Sequence, residues 1–96
     1  MQYILIGHDK PEALPIRQAA RPAHLVYWEN FGERLIFGGP MLAAEGHSIG
    51  SILVIEAEDE AAAARIFGDD PYVPAGVFET YTITPFRHVF THGKQV

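Results

Sequence analysis

The sequence predicts an α+β domain in which four antiparallel strands carry two helices on one face, the split β-α-β-β-α-β arrangement. Three observations carry this prediction. The chain has 96 residues, the size of one compact domain. Hydrophobic residues make up 48% of it and charged residues 20%, which is typical of a folded core. Strand-like and helix-like segments follow in that order without a linker, so we treat residues 1–96 as a single domain.

The first two elements are a strand and an interrupted helix. Residues 2–8 are apolar on both alternating faces, which predicts a central strand. A helical segment follows, with Asp9 as a candidate N-cap. Pro15 and Pro22 disfavour one continuous helix. We therefore expect a short helix or irregular turn over 11–20 and then a main helix with Pro22 in its first turn.

The second half of the chain supplies three more strands and one more helix. Apolar and β-branched runs predict the strands, and an alanine-rich run predicts the helix. In chain order we expect a strand over 35–37 that continues through Gly38-Gly39-Pro40 to Met41-Leu42, a hairpin loop over 44–47, a strand over 50–57, a helix over 60–67 capped by Glu58 or Asp59, a strand over 77–86, and a tail over 88–96.

Charge and cysteine content exclude several function classes. Seven Lys and Arg against twelve Asp and Glu give a net charge of −5, which argues against a nucleic-acid binder. With no cysteine, the chain has no disulfide, thiolate nucleophile or Cys-ligated metal site. No apolar run is long enough to span a membrane, and the N-terminus lacks a basic leader, so we expect a cytoplasmic protein.

The predicted sheet has one face that no helix covers. We expect apolar residues there, such as Tyr3, Leu5 and either Ile52 or Leu53. Two such sheets can bury these faces against each other. The arrangement therefore predicts a homodimer.

The segment around His24 is a candidate site. If Pro22 opens the main helix, His24 lies in its first turn, where the positive helix end favours a neutral imidazole that can act as a base. Arg17 and Arg21 lie near the same helix entry and can attract an anionic substrate. The alternative is a partly exposed histidine with two surface arginines.

Two further segments offer candidate site residues. Asp70 precedes Pro71, which holds it at a corner from which it could orient a histidine, although Asp-Pro is also a common turn. Gly38 and Gly39 form either the floor of a ligand site or a bulge.

The tail contains two histidines at a spacing that metal sites use. His88 and His92 are four positions apart, but the sequence near them offers no third ligand. We therefore predict no metal site.

Taken together, these motifs resemble the YciI family of YCII-related domain proteins over nearly the full length. The matching segments are His8-Asp9-Lys10, Arg17 to Leu25, Gly38 to Met41, Gly50-Ser51, Asp70-Pro71-Tyr72, Ala75-Gly76-Val77 and Pro85-Phe86. The resemblance implies a ferredoxin-like domain of the dimeric α/β-barrel superfamily, a homodimer, and a His–Asp dyad at His24 and Asp70. Similar dyads serve muconolactone-isomerase-like enzymes and a dehydrochlorinase of chlorinated hydroxyhydroquinone. The stretch between Pro40 and Gly50 is shorter in this chain than in the longer members of the family. That loop could border the substrate pocket, so the resemblance does not identify the substrate.

The leading hypothesis is a small cofactor-independent lyase or isomerase acting on an activated, oxygenated small molecule. His24 would be the general base and acid, and Asp70 would hold its tautomer. The substrate contacts would be Arg17, Arg21, Gly38, Gly39 and Ser51.

Two other functions stay open. One is a non-catalytic dimeric module that binds a small ligand or a partner, with His24 and Asp70 as a structural pair. The other is a cofactor-independent oxygenase with Trp28 in its pocket. A His–Asp pair that opens into a cavity would favour chemistry or ligand binding over a structural role.

Overall fold

The computed structural model describes residues 1–96 and contains a four-stranded antiparallel sheet of order β2-β3-β1-β4. The predicted order of the elements and the predicted antiparallel pairing of the strands are confirmed. The elements are β1 (Gln2–Asp9), α1 (Leu14–Phe31), a 3-10 turn (Gly32–Arg34), β2 (Leu35–Leu42), β3 (Ser48–Glu56), α2 (Glu60–Gly68), β4 (Phe78–Phe86), β5 (Phe90–Thr91) and β6 (Lys94–Gln95).

Both helices pack on the same face of the sheet. Tyr3 of β1 pairs with Ile55 of β3, and Leu5 pairs with Leu53, so all four side chains lie on one face. These four join one buried cluster with residues of both helices, namely Trp28 from α1 and Ala62, Ala63 and Phe67 from α2. The ferredoxin-like α+β fold is therefore confirmed.

The predicted break in the first helix is wrong. A single helix, α1, runs from Leu14 to Phe31 and contains Pro22. Pro22 cannot donate to the carbonyl of Gln18, but both residues are exposed, so water can bond that carbonyl. Pro15 lies in the first turn, where no intrahelical donor is needed.

Two consequences of that helix concern the site. His24 lies in the middle of α1 rather than in its first turn. The predicted effect of the positive helix end on its imidazole is therefore wrong, because that field falls off within a turn. Asp9 is not an N-cap: the cap position is Ala13, which has no side chain to accept a hydrogen bond, and Asp9 ends β1.

The assignment of residues to the helix-free face needs correction. Tyr3, Leu5 and Leu53 are buried beneath the helices, whereas Ile52 lies on the other face, where it pairs with Ile6. Both faces of β1 are apolar, so alternation alone could not decide which face the helices cover. The helix-free face still carries the apolar residues that the dimer prediction requires.

The tail contains a hairpin that was not predicted. Strands β5 and β6 are joined by His92 and Gly93, whose φ angles of 52° and 77° match a two-residue hairpin turn with both residues left-handed. A His-Gly pair is a weaker turn signal than Asn-Gly, which explains why the sequence did not indicate it. His88 and His92 belong to no group of three or more metal-ligating side chains.

Candidate active site

A cavity of about 530 Å³ lies between α1 and the sheet. This volume is in the range of small-molecule sites. Its walls come from α1, β2, the hairpin between β2 and β3, β3 itself, and the turn after α2. Six of the seven residues proposed from sequence line it, namely Arg17, Arg21, His24, Gly38, Gly39 and Ser51, while Asp70 lies behind His24.

His24 and Asp70 form the hydrogen bond that the sequence predicted. Nδ1 of His24 is 2.8 Å from Oδ1 of Asp70, although the residues are 46 positions apart. The Asp70 side chain also accepts from Nε1 of Trp28 at 2.9 Å and from the backbone N–H of Tyr72 at 2.9 Å. The last of these is an Asx-turn, which the proline at position 71 holds in place. Whether this pair performs catalysis stays a prediction.

The partners of Asp70 determine which nitrogen of His24 is free. The Trp28 and Tyr72 N–H groups can only donate, so both carboxylate oxygens of Asp70 act as acceptors. An ionised Asp70 then takes its third hydrogen bond from Nδ1–H of His24. In the neutral ring this leaves the lone pair on Nε2.

Nε2 of His24 is open to the cavity. Every buried side-chain nitrogen or oxygen in the chain has a hydrogen-bond partner. Nε2 has none, so it is not buried, and the His24 side chain, 14% exposed, lines the cavity. The arrangement therefore leaves Nε2 without a protein partner, so that it can contact whatever occupies that space.

Tyr72 holds the flat face of the same imidazole. The two rings stack with centroids 3.8 Å apart and 11° between their planes. The guanidinium carbon of Arg17 lies 4.6 Å from the Tyr72 ring centroid. Burial raises the pKa of the Tyr72 phenol, and the charge of Arg17 opposes that effect. Sequence reasoning included Tyr72 in a motif but missed this role; an aromatic residue directly after Asp-Pro was the available signal.

Arg17 is bound within the protein rather than free for a ligand. Its Nε and Nη2 donate to the two carboxylate oxygens of Asp9 at 2.8 and 2.9 Å, and Nη2 also donates to Oγ of Ser51 at 2.8 Å. Burial alone would lower the pKa of Arg17, but the hydrogen bonds and charge of Asp9, together with Tyr72, outweigh burial and raise it. Asp9, expected as a helix cap, thus neutralises this arginine, and the pair fixes one wall of the cavity.

The glycine pair of β2 has two different environments. A Cβ on Gly38 would clash with Cδ2 of Leu53, so the glycine lets β2 approach the core closely. A Cβ on Gly39 would meet nothing within 4 Å. The two glycines line the cavity. The pair therefore shapes the sheet and also forms part of a wall of the site.

Several lining residues were not among the predicted site residues, including three with polar or aromatic side chains beside the predicted ones. His47 lies in the hairpin loop between β2 and β3, Ser48 begins β3, and Trp28 comes from α1. Only the shortened stretch between Pro40 and Gly50 pointed to that hairpin. The spacing of Trp28 predicts a core residue, and its side chain is buried, with 4% exposed. It also lines the cavity and donates a hydrogen bond to Asp70.

Comparisons with known proteins agree with the sequence resemblance. A family model for the YCII-related domain matches residues 1–87. Protein YciI of Escherichia coli is 36% identical over 98 residues, covering 94% of this chain and all of that protein. An uncharacterized protein of Haemophilus influenzae is 33% identical with the same coverage.

Solved structures include one close in both fold and sequence. The 5-chloro-2-hydroxyhydroquinone dehydrochlorinase of Burkholderia phenoliruptrix, in complex with 2,5-dihydroxybenzoquinone, superposes with a TM-score of 0.86 at 29% identity, covering 92% of this chain and 95% of that one. SnoaB, a cofactor-independent oxygenase of Streptomyces nogalater, superposes with a TM-score of 0.53 at 8% identity over 91% of this chain and 92% of that one, which shows a shared fold alone.

Proposed function

This chain belongs to the YCII-related domain family, and from that premise we propose that it is a cofactor-independent enzyme that moves a proton on an activated, oxygenated small molecule. One observation carries the proposal. Nε2 of His24 faces a cavity of about 530 Å³ while Nδ1 is held by the buried carboxylate of Asp70. A base so oriented needs no metal or organic cofactor to take a proton from an acidic C–H or O–H group.

The proposed reaction begins when Nε2 of His24 removes a proton from the substrate. The electron pair left behind moves toward an adjacent carbonyl or ring oxygen. In an isomerisation, His24 returns the proton to a different atom. In a dehydrohalogenation, the pair instead expels chloride from a neighbouring carbon, and the imidazolium later loses its proton to solvent. Asp70 stabilises the imidazolium in either case.

The other predicted residues take supporting roles in this proposal. Arg21 contacts the substrate's negative charge, and the backbone of Gly38 and Gly39 forms the opposite wall. Ser51 and Arg17 complete the polar end, with Arg17 acting through its bonds to Asp9 and Ser51. The dehydrochlorinase supports this reaction class because it is 29% identical and its named substrate is an oxygenated ring.

A non-catalytic ligand-binding module is the second candidate, and one observation favours it. Asp70 joins His24 and Trp28 of α1 to the turn after α2, so its hydrogen bonds also hold two elements together. A structural role would need these bonds but would not need the open Nε2 atom. Substitution of His24 therefore separates the two functions.

The test uses two readouts of proton transfer. We expect the protein to release chloride from 5-chloro-2-hydroxyhydroquinone, or to speed deuterium exchange into hydroxylated ring ketones in D2O, by about 10²–10⁴-fold over buffer. His24→Gln should remove the acceleration while leaving the circular dichroism spectrum unchanged. The matched control is His8→Gln, because His8 is exposed and lies outside the cavity. Wild-type rates equal to buffer, or full activity in His24→Gln, would leave the ligand-binding function.

We also propose that the protein is a homodimer formed through the helix-free face of the sheet. Ile4, Ile6, Ile52 and Val54 lie on that face by register, and the Phe37 ring lies 6.4 Å from the Phe86 ring. Sedimentation equilibrium at micromolar concentration tests this: a single 10.6 kDa species would refute it.

No helix of the chain has the length and apolarity to cross a bilayer. A cytoplasmic location stays a prediction.

A further inference from the structure

The charged side chains that line the cavity are basic, whereas the chain as a whole is acidic. The chain as a whole carries twelve acidic and seven basic side chains. No Asp or Glu lines the cavity, whereas two arginines and two histidines do. In a low-dielectric cleft, charges of one sign raise the local concentration of the opposite sign. The cavity is therefore suited to an anion even though the protein is net negative.

Only one of these four groups lacks a carboxylate partner. Arg17 is bound bidentately by Asp9, and His24 is bound by Asp70. Nδ1 of His47 lies 3.8 Å from Glu45. Arg21 has no carboxylate within 4 Å and forms no hydrogen bond, and it is exposed. Arg21 is thus the one basic side chain lining the cavity that has no carboxylate partner.

The remaining walls suit a flat apolar body. Leu25, Trp28, Leu35 and Leu53 line the space beside His24, and about 530 Å³ holds a single-ring compound. The guanidinium of arginine is a planar fork that matches the two oxygens of a carboxylate. A ring with one carboxylate would satisfy both the free cation and the apolar wall.

From these observations we infer that the cavity selects single-ring carboxylates, with Arg21 as the anion anchor. This inference rests on the same cavity as the proposed function and names its ligand class. A second anionic group would find no free cation, so dianions should bind more weakly than monoanions. The ring then lies against Trp28 with its reactive edge toward Nε2 of His24.

Binding of benzoate tests the inference without any assay of turnover. Trp28 is the only tryptophan and lines the cavity, so its fluorescence reports occupancy, with calorimetry as a second measure. We expect benzoate to bind with a dissociation constant at or below about 1 mM, which is weak but measurable. Benzamide, which has the same shape and no charge, should bind at least about tenfold more weakly, because hydrogen bonds between charged groups are the stronger ones.

Substitutions assign the effect to one residue. Arg21→Gln should bring benzoate affinity down to that of benzamide, and Arg21→Lys should restore part of it. The matched control is Arg65→Gln, an equal charge change at an exposed position of α2 outside the cavity, which should leave benzoate affinity unchanged. Addition of salt should weaken benzoate binding to the wild type and not benzamide binding.

Three results would overturn the inference: no benzoate binding at millimolar concentration, equal affinity for benzamide, or undiminished benzoate affinity in Arg21→Gln. His24→Gln separates this inference from the proposed function. That variant should keep benzoate affinity within about threefold while losing proton transfer, since His24 is not the anion anchor. Failure of anion selection with intact proton transfer would refute the ligand class alone.

Discussion

His24 lies flat on Tyr72, with 3.8 Å between ring centroids, while Asp70 holds the edge of the same imidazole at 2.8 Å. The two contacts restrict different motions. The hydrogen bond fixes rotation within the ring plane, and the stack fixes its tilt. Because Asp70 and Tyr72 lie two positions apart in one turn, a single short segment sets the orientation of the candidate base.

Tyr72→Leu should lower kcat by about 10- to 100-fold, because the imidazole loses its stacking partner. Tyr72→Phe keeps the ring and should retain most of the rate, although it loses the hydroxyl near Arg17. Steady-state kinetics of both variants check this. Equal losses in the two would assign the effect to the hydroxyl instead of the stack.

Asp70→Asn should reduce both the rate and the stability. Asp70 faces three N–H donors, and an asparagine offers one oxygen and one NH2 group, so at least one buried donor loses its acceptor. We expect about 1–3 kcal/mol of lost stability in urea unfolding. Nitrogen NMR of His24 should show a loss of the Nδ1–H tautomer. An unchanged tautomer with unchanged rate would contradict the proposed role.

Asp9→Asn should destabilise the fold by about 3–5 kcal/mol, because it leaves the charge of Arg17 buried without its partner. The two side chains are only 5% and 6% exposed. The control is Glu56→Gln, which breaks a surface pair with the N-terminal amine and should cost about 0–1 kcal/mol. Similar losses of unfolding free energy in both variants would show that the buried Asp9–Arg17 pair stabilises the fold no more than the surface pair does.

Gly38→Ala and Gly39→Ala form a matched pair for the wall of the cavity. A Cβ at Gly38 would clash with Cδ2 of Leu53 and lie 3.1 Å from the backbone oxygen of Ile52, so we expect overpacking to cost about 1–3 kcal/mol. Gly39→Ala meets no neighbour within 4 Å and should change stability by less than about 0.5 kcal/mol. Thermal unfolding checks the order. A larger loss in Gly39→Ala would mean that strand pairing rather than Leu53 limits this site.

Stability should fall steeply in alkaline solution. Burial raises the pKa of Tyr27, with Asp69 and Asp70 adding to the effect, and burial raises the pKa of Tyr72. A raised pKa in the folded state means that the unfolded chain loses these protons first. The stabilising contribution is full below about pH 10 and is lost as pH rises through the folded values.

The Tyr27 hydroxyl also donates to the carbonyl of Ile66 at 2.6 Å, which a phenolate cannot do. Urea unfolding at several alkaline pH values measures the decline. Tyr27→Phe should make it shallower, and an unchanged slope would contradict the assignment.

The sequence was sufficient for the element order and for the meeting of His24 with Asp70, because each depends on local signals and on a fold with helices on one face. It was insufficient where the local residue pattern fits two structures equally well, as at Pro22 and on the two faces of β1. Pro22 lies within α1 because its solvent-facing side tolerates a missing hydrogen bond, which no spacing rule reveals. The faces of β1 could not be assigned because both are apolar. The partnership of Asp9 with Arg17 depends on the end of β1 lying beside α1, and so it could not be read from spacing.

The central position of β1 has a consequence for how the protein is made. Its first residues pair with the end of β4, as in Gln2 with Phe86, so β1 leaves the ribosome long before the strand that covers one of its edges. Until β4 emerges, β1 has an open edge that can pair with another nascent chain. Contacts at such long sequence separation also slow folding. The sheet is therefore expected to close only after β4 has emerged, and shielding of β1 by a chaperone until then should raise the yield of native protein.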